Sequence, residues 1–115
     1  MVTVETAAPE VVAQSFLQIL RMENLKLSYG YLSAGAKKKL SEGAFQKQLL
    51  ERLKDQDLQW ELPYRQIRPG VANGKQVRVE VLPPEQGNRP TWQWELVKES
   101  TGWKIDRMHG GPVEL

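Results

Sequence analysis

The sequence predicts an α+β domain in which three N-terminal helices pack on a curved antiparallel sheet of about four strands. Three observations lead there. Apolar residues recur at helical spacing as far as Asp55 and at a spacing of two beyond it. The dipeptide Asn73-Gly74 is a strong hairpin signal ahead of one alternating segment. Gly102, within STG, supplies a turn between the last two of them. At 115 residues the chain reads as a single domain spanning 1–115, and its 40% hydrophobic and 26% charged content is that of a packed soluble protein.

The first helix is expected over 9–22. Val12, Phe16, Ile19 and Leu20 form its apolar stripe, Pro9 suits the first turn, and Glu10 complements the positive end of the dipole. Asn24 can cap a second helix, with Leu25, Tyr29 and Leu32 on one side and Leu27 and Tyr31 on the other. A helix apolar on two sides is covered on both or helps line a cavity. Ser41 can cap a third, where Phe45, Leu49 and Leu53 recur four apart. Strand signals follow. In LQWELPY, Leu58, Trp60, Leu62 and Tyr64 share one face while Gln59, Glu61 and Arg65 share the other, and Pro63 predicts an edge position or a bulge at 63–66. QVRVEVLP places Val77, Val79 and Val81 together, TWQWELVKES does the same for Trp92, Trp94 and Leu96, and TGWKIDRM for Trp103 and Ile105. PPEQGNRP is a loop, and HGGPVEL is a frayed tail or an added edge segment.

The succession PEVVAQSFLQIL, YGYLSAGAKKKLSEGAFQKQL, GKQVRVEV and WQWELVKESTGWKIDRM resembles the nuclear transport factor 2-like superfamily. That is the cystatin-like cone fold shared with ketosteroid isomerases and SnoaL-type polyketide cyclases. Trp94, Leu96, Gly102, Trp103, Lys104 and Ile105 carry the most specific part, a closing hairpin similar to that of small bacterial members of unknown function. Glu23-Asn24 stands where those relatives carry Gly-Asp. The resemblance implies a pocket between helices and sheet, in which the superfamily's enzymes place an acid or base.

Strand parity speaks to that chemistry. Glu61, Glu80, Glu95, Glu99 and Asp106 all fall opposite the tryptophans and valines, so the strands are expected to offer no inward base. Arg107 and His109 continue the inward parity of Trp103 and Ile105. With Tyr29, Tyr31 and Tyr64, and with Trp60, Trp92 and Trp94 as walls, they are the pocket candidates for a small apolar or acidic ligand. A lone histidine and no cysteine make no metal site, and no phosphate loop, nucleophile elbow or Walker-type lysine is present. No catalytic residue and no cofactor is therefore expected.

The expected function is a non-catalytic binding or assembly module, with a small-molecule enzyme of isomerase or cyclase type as the alternative. The superfamily's habits imply a homodimer or a partner protein at the outer sheet face. Lys26, Lys37, Lys38, Lys39, Lys47, Arg52 and Lys54 concentrate the positive charge, but without an interleaved aromatic platform they read as a solvated helical surface, and nucleic acid is not expected as a partner. No stretch approaches the roughly 20 apolar residues of a membrane span. As written the chain is expected in the cytoplasm; as a fragment of a longer precursor it would be exported or anchored.

Overall fold

In the computed structural model, which describes residues 8–22, 24–85, 89–113 and 115, helices come first and an antiparallel sheet follows. Helix α1, Pro9–Arg21, starts with proline in its first turn and buries Phe16, Leu17 and Leu20. In α2, Leu25–Tyr29, the Asn24 side chain accepts a hydrogen bond from the Leu27 N–H at 3.1 Å. This helix is shorter than its apolar spacing suggests. Leu32 pairs instead with Ile105 in a parallel bridge, where Ser33 N–H donates to the Ile105 carbonyl at 2.8 Å and Ile105 N–H to that of Tyr31 at 2.9 Å.

Ser33 then caps α3, Ala34–Lys39, a short helix not anticipated from the sequence, in which Lys37, Lys38 and Lys39 complement the negative end. Ser41 caps α4, Glu42–Leu53, as its spacing implied, and Phe45, Leu49 and Leu53 are buried.

Residues 58–64 correct the sequence reading. They form α5, Gln56–Glu61, and a 3-10 turn, Leu62–Tyr64, rather than a strand. Apolar residues at 58, 60, 62 and 64 alternate, but they are also two pairs four residues apart. The helix buries Leu58 with Leu62 and turns Trp60 and Tyr64 outward. Pro63 sits in the first turn of the 3-10 segment, where a missing N–H costs little.

The sheet is a meander in the order β1-β2-β3-β4, with β1 Gln66–Arg68, β2 Gln76–Leu82, β3 Trp92–Glu99 and β4 Gly102–His109. Asn73 and Gln76 exchange backbone hydrogen bonds of 2.7 and 3.2 Å around Gly74, and Gly102 takes the positive φ expected of it. Val77, Val79, Val81, Trp92, Trp94, Leu96 and Ile105 all face the helices and are buried, as strand alternation implied.

A bulge breaks that alternation in β4. Glu95 pairs with Arg107 but Leu96 with Ile105, so Asp106 is the extra residue and every side chain beyond it changes face. Met108 is therefore the inward residue, and Arg107 and His109 are exposed, which overturns their expected inward direction. No proline or glycine marks the site, so continuing the period through it was the wrong inference.

Candidate functional site

Beneath the helices the buried side chains pack into one hydrophobic cluster. Trp92 and Trp94 stack with centroids 6.1 Å apart at 18°, and Phe16 meets Trp94 edge-on at 5.6 Å. The tail closes over them rather than fraying. Trp94 Nε1 donates to the Gly110 carbonyl at 3.0 Å, Arg52 reaches the Gly111 carbonyl at 3.0 Å, and Val113 is only 2% exposed. At Gly110, with φ of +94°, a Cβ would lie 2.5 Å from Trp92 Cδ1, so glycine is what lets the backbone approach the indole. Two further candidates belong to this packing. The Tyr29 hydroxyl donates to the Leu40 carbonyl at 2.8 Å with its ring 5.4 Å from Phe45, and Tyr31 is half-buried with its ring 6.0 Å from Phe16.

Glu61, expected on a solvated strand face, is 1% exposed. Its Oε1 accepts from Arg65 Nη2 at 3.1 Å, one helical turn on, and its Oε2 from Arg89 Nε at 2.5 Å. Arg65, expected on the same solvated face, is itself 2% exposed, because the helical turn that replaces the strand carries it inward with Glu61. Its Nη1 donates to the carbonyls of Val81 and Pro90 at 3.0 and 2.9 Å, and its guanidinium lies 3.5 Å from the centre of the Trp92 ring. Burial lowers the Arg65 pKa from its ordinary value, the Glu61 carboxylate opposes that, and Arg89 adds to it. The group remains a cation, because an arginine starts so high. This cluster clamps the end of α5 to β2 and to the loop entering β3. The i,i+4 spacing of Glu61 and Arg65 was its sequence signal, hidden by the strand reading.

The same helical turn builds the opposite surface. Trp60 and Tyr64 are 50% and 60% exposed, their ring centroids 5.7 Å apart at 44°. They line a groove of about 580 Å³ together with Gln66, Leu82, Pro83, Pro84 and Glu85. Of the pocket candidates, then, Trp92 and Trp94 lie inside, Tyr29 and Tyr31 at the helical wall, Trp60 and Tyr64 in this groove, and Arg107 and His109 on the outer sheet face. The structure does not bring them into one site. Sequence reasoning missed the Pro83-Pro84-Glu85 side of the groove, where the only signal was two prolines ending a strand.

The outer sheet face, expected to meet a second copy, carries a lattice of charges. Arg68 pairs with Glu80 at 3.2 Å, and Glu95 with Arg78 at 2.7 Å and with Arg107 at 4.0 Å. The hydrogen bond from Arg78 lowers the Glu95 pKa below the usual carboxylate value, against a smaller opposing effect of burial. Of the basic residues in the helical half, Lys37, Lys38 and Lys39 are exposed, with Lys37 Nζ 5.5 Å from the Tyr29 ring centre, while Arg52 is engaged by the tail. Among the described residues no group of three His, Asp or Glu could hold a metal ion, and no helix is long and apolar enough to cross a membrane.

No protein-family model matches this chain, and no curated protein is significantly similar to it in sequence.

Proposed function

We propose that the chain is a non-catalytic binding module of the nuclear transport factor 2-like superfamily, and that it holds its partner in the Trp60–Tyr64 groove rather than beneath the sheet. The observation that carries this reading is the contrast in aromatic exposure. The interior tryptophans are covered by α1 and by the Gly110–Val113 tail, while Trp60 and Tyr64 present two rings to solvent beside a groove of about 580 Å³. That volume lies in the range of ligand sites, and exposed Trp and Tyr are the side chains enriched where interfaces draw most of their energy. Glu61, the one buried carboxylate among the described residues, already accepts guanidinium hydrogen bonds on both oxygens, which argues against its use as a general base.

The test is a selection of random peptides on the full chain, with the Trp60→Ala/Tyr64→Ala double variant as counter-selection. Binders that lose affinity for the double variant and move the Trp60 indole resonance are the expected result. Binders that ignore the double variant and shift Trp92 and Trp94 instead would place recognition in the interior and end this reading.

A further inference from the structure

We infer that the occupant of the groove is the arginine side chain of an extended segment of a partner protein. This rests on the binding reading above and names the chemistry recognised.

The groove brings three complementary features together. Trp60 and Tyr64 offer two aromatic faces, and Glu85 is an exposed carboxylate that, among the described residues, has no cationic partner. Gln66 adds an amide to the same wall. Aromatic faces with a carboxylate alongside attract a cation, and no lysine or arginine stands among the described residues that line the groove. The molecule already contains the filled counterpart, where Arg65 lies 3.5 Å over the Trp92 ring and donates to Glu61 at 3.1 Å. The groove repeats indole and carboxylate on the opposite side of the same helical turn and lacks the guanidinium.

Shape selects among cations. Two rings tilted at 44° form an open corner, not the closed box that desolvates a quaternary ammonium. A planar guanidinium can stack on one ring while its edge meets the carboxylate, and it sheds water more readily than an ammonium. The groove also borders β1, which among the described residues is the terminal strand of the sheet, so an extended chain has an edge to pair with while its side chain enters the corner. Gln66 belongs to both features.

The experiment titrates acetyl-Gly-Val-Arg-Val-Gly-amide into the isotope-labelled full chain and follows the four tryptophan indole resonances. The expected result is a saturable shift of Trp60, with Trp92 and Trp94 unmoved as the control for an intact fold. Replacing arginine by citrulline, which keeps shape and removes charge, is expected to weaken binding about tenfold, the combined effect of a cation–π contact and a charge-assisted hydrogen bond. Glu85→Gln is expected to shrink the difference between the two peptides to the share that the aromatic rings supply. Equal affinity for the citrulline peptide would overturn the cation while leaving a Trp60-dependent groove standing. Tetramethylammonium or argininamide binding as tightly as the pentapeptide would overturn the extended segment in favour of a small free cation. No Trp60 response to any arginine peptide would overturn the inference outright. If peptides from the unbiased selection also ignored the Trp60→Ala/Tyr64→Ala variant, the groove reading would fall with it.

Discussion

Two aromatic pairs of similar spacing meet opposite fates in this molecule. Trp92 and Trp94 lie 6.1 Å apart, nearly parallel, sealed by Phe16 and by a tail whose glycines approach the indoles. Trp60 and Tyr64 lie 5.7 Å apart, tilted, and open to water. The side chains are chemically alike, so their environment decides what they do. In the interior they exclude solvent and stabilise the fold, each contributing about 2 to 3 kcal/mol by burial. On α5 and the 3-10 turn after it they make no comparable contribution to stability, and their large, rigid apolar faces remain available to a partner.

The largest expected effect tests that contrast directly. Trp94→Ala removes a fully buried side chain and leaves a cavity against Phe16 and Trp92, so it should cost about 3 to 5 kcal/mol in chemical denaturation. Trp60→Ala should stay within about 1 kcal/mol of the parent. Comparable losses for the two would erase the distinction drawn between the pairs.

Nearly as large is the effect expected at Glu61. Glu61→Ala strands the Arg65 guanidinium, which is 2% exposed and has no other carboxylate within ion-pair distance among the described residues. Breaking a buried pair in this way costs about 3 to 5 kcal/mol. A double change to Glu61→Leu and Arg65→Met should recover much of that, because an apolar pair avoids the desolvation of both charges. Failure of the double variant to recover would show that Arg65 matters through its bonds to Val81 and Pro90 rather than through Glu61.

Why this cluster was hidden bears on how far the sequence could be read. The caps at Asn24 and Ser41, the Asn73-Gly74 turn and Gly102 were legible because each has a local physical requirement that few residues meet. The segment at 58–64 was not. Its even spacing satisfies a strand face and two helical pairs equally, and only contacts with the core choose between them. The bulge at Asp106 was silent for a related reason. A single unpaired residue changes the face of everything after it, yet composition at 106–109 is as compatible with one parity as with the other. The candidate site suffered from both errors. Trp60 and Tyr64 face solvent rather than the interior that strand alternation implies, and Met108 occupies the inward place that an unbroken period gives to Arg107 and His109.

An intermediate effect is expected at the tail. Gly110→Ala meets both a positive φ and a Cβ position 2.5 Å from Trp92 Cδ1, so strain of about 1 to 3 kcal/mol should lower stability and loosen the seal. Increased hydrogen exchange at the Trp94 indole N–H, which donates to Gly110, would be the local sign. If that proton stayed protected while global stability fell, the tail would be adjusting as a unit and would not be the closure that separates the interior pair from water.

The smallest effect belongs to the outer sheet face, where charges stand half in solvent. Glu95 is held by Arg78 at 2.7 Å and lies 4.0 Å from Arg107. Its pKa is lowered in the folded chain from an ordinary 4.5, chiefly by the Arg78 hydrogen bond. A depressed carboxylate stabilises the fold above its unfolded pKa and loses that contribution as the pH falls through the folded value. Glu95→Gln should therefore cost no more than about 1 kcal/mol at neutral pH, as for other surface pairs, and added salt should shrink the difference. Acidification from 4.5 downwards should make parent and variant converge. A difference that persisted below that window would mean that Glu95 acts through packing, and the outer face would then resemble the sealed interior more than the solvated lattice its distances describe.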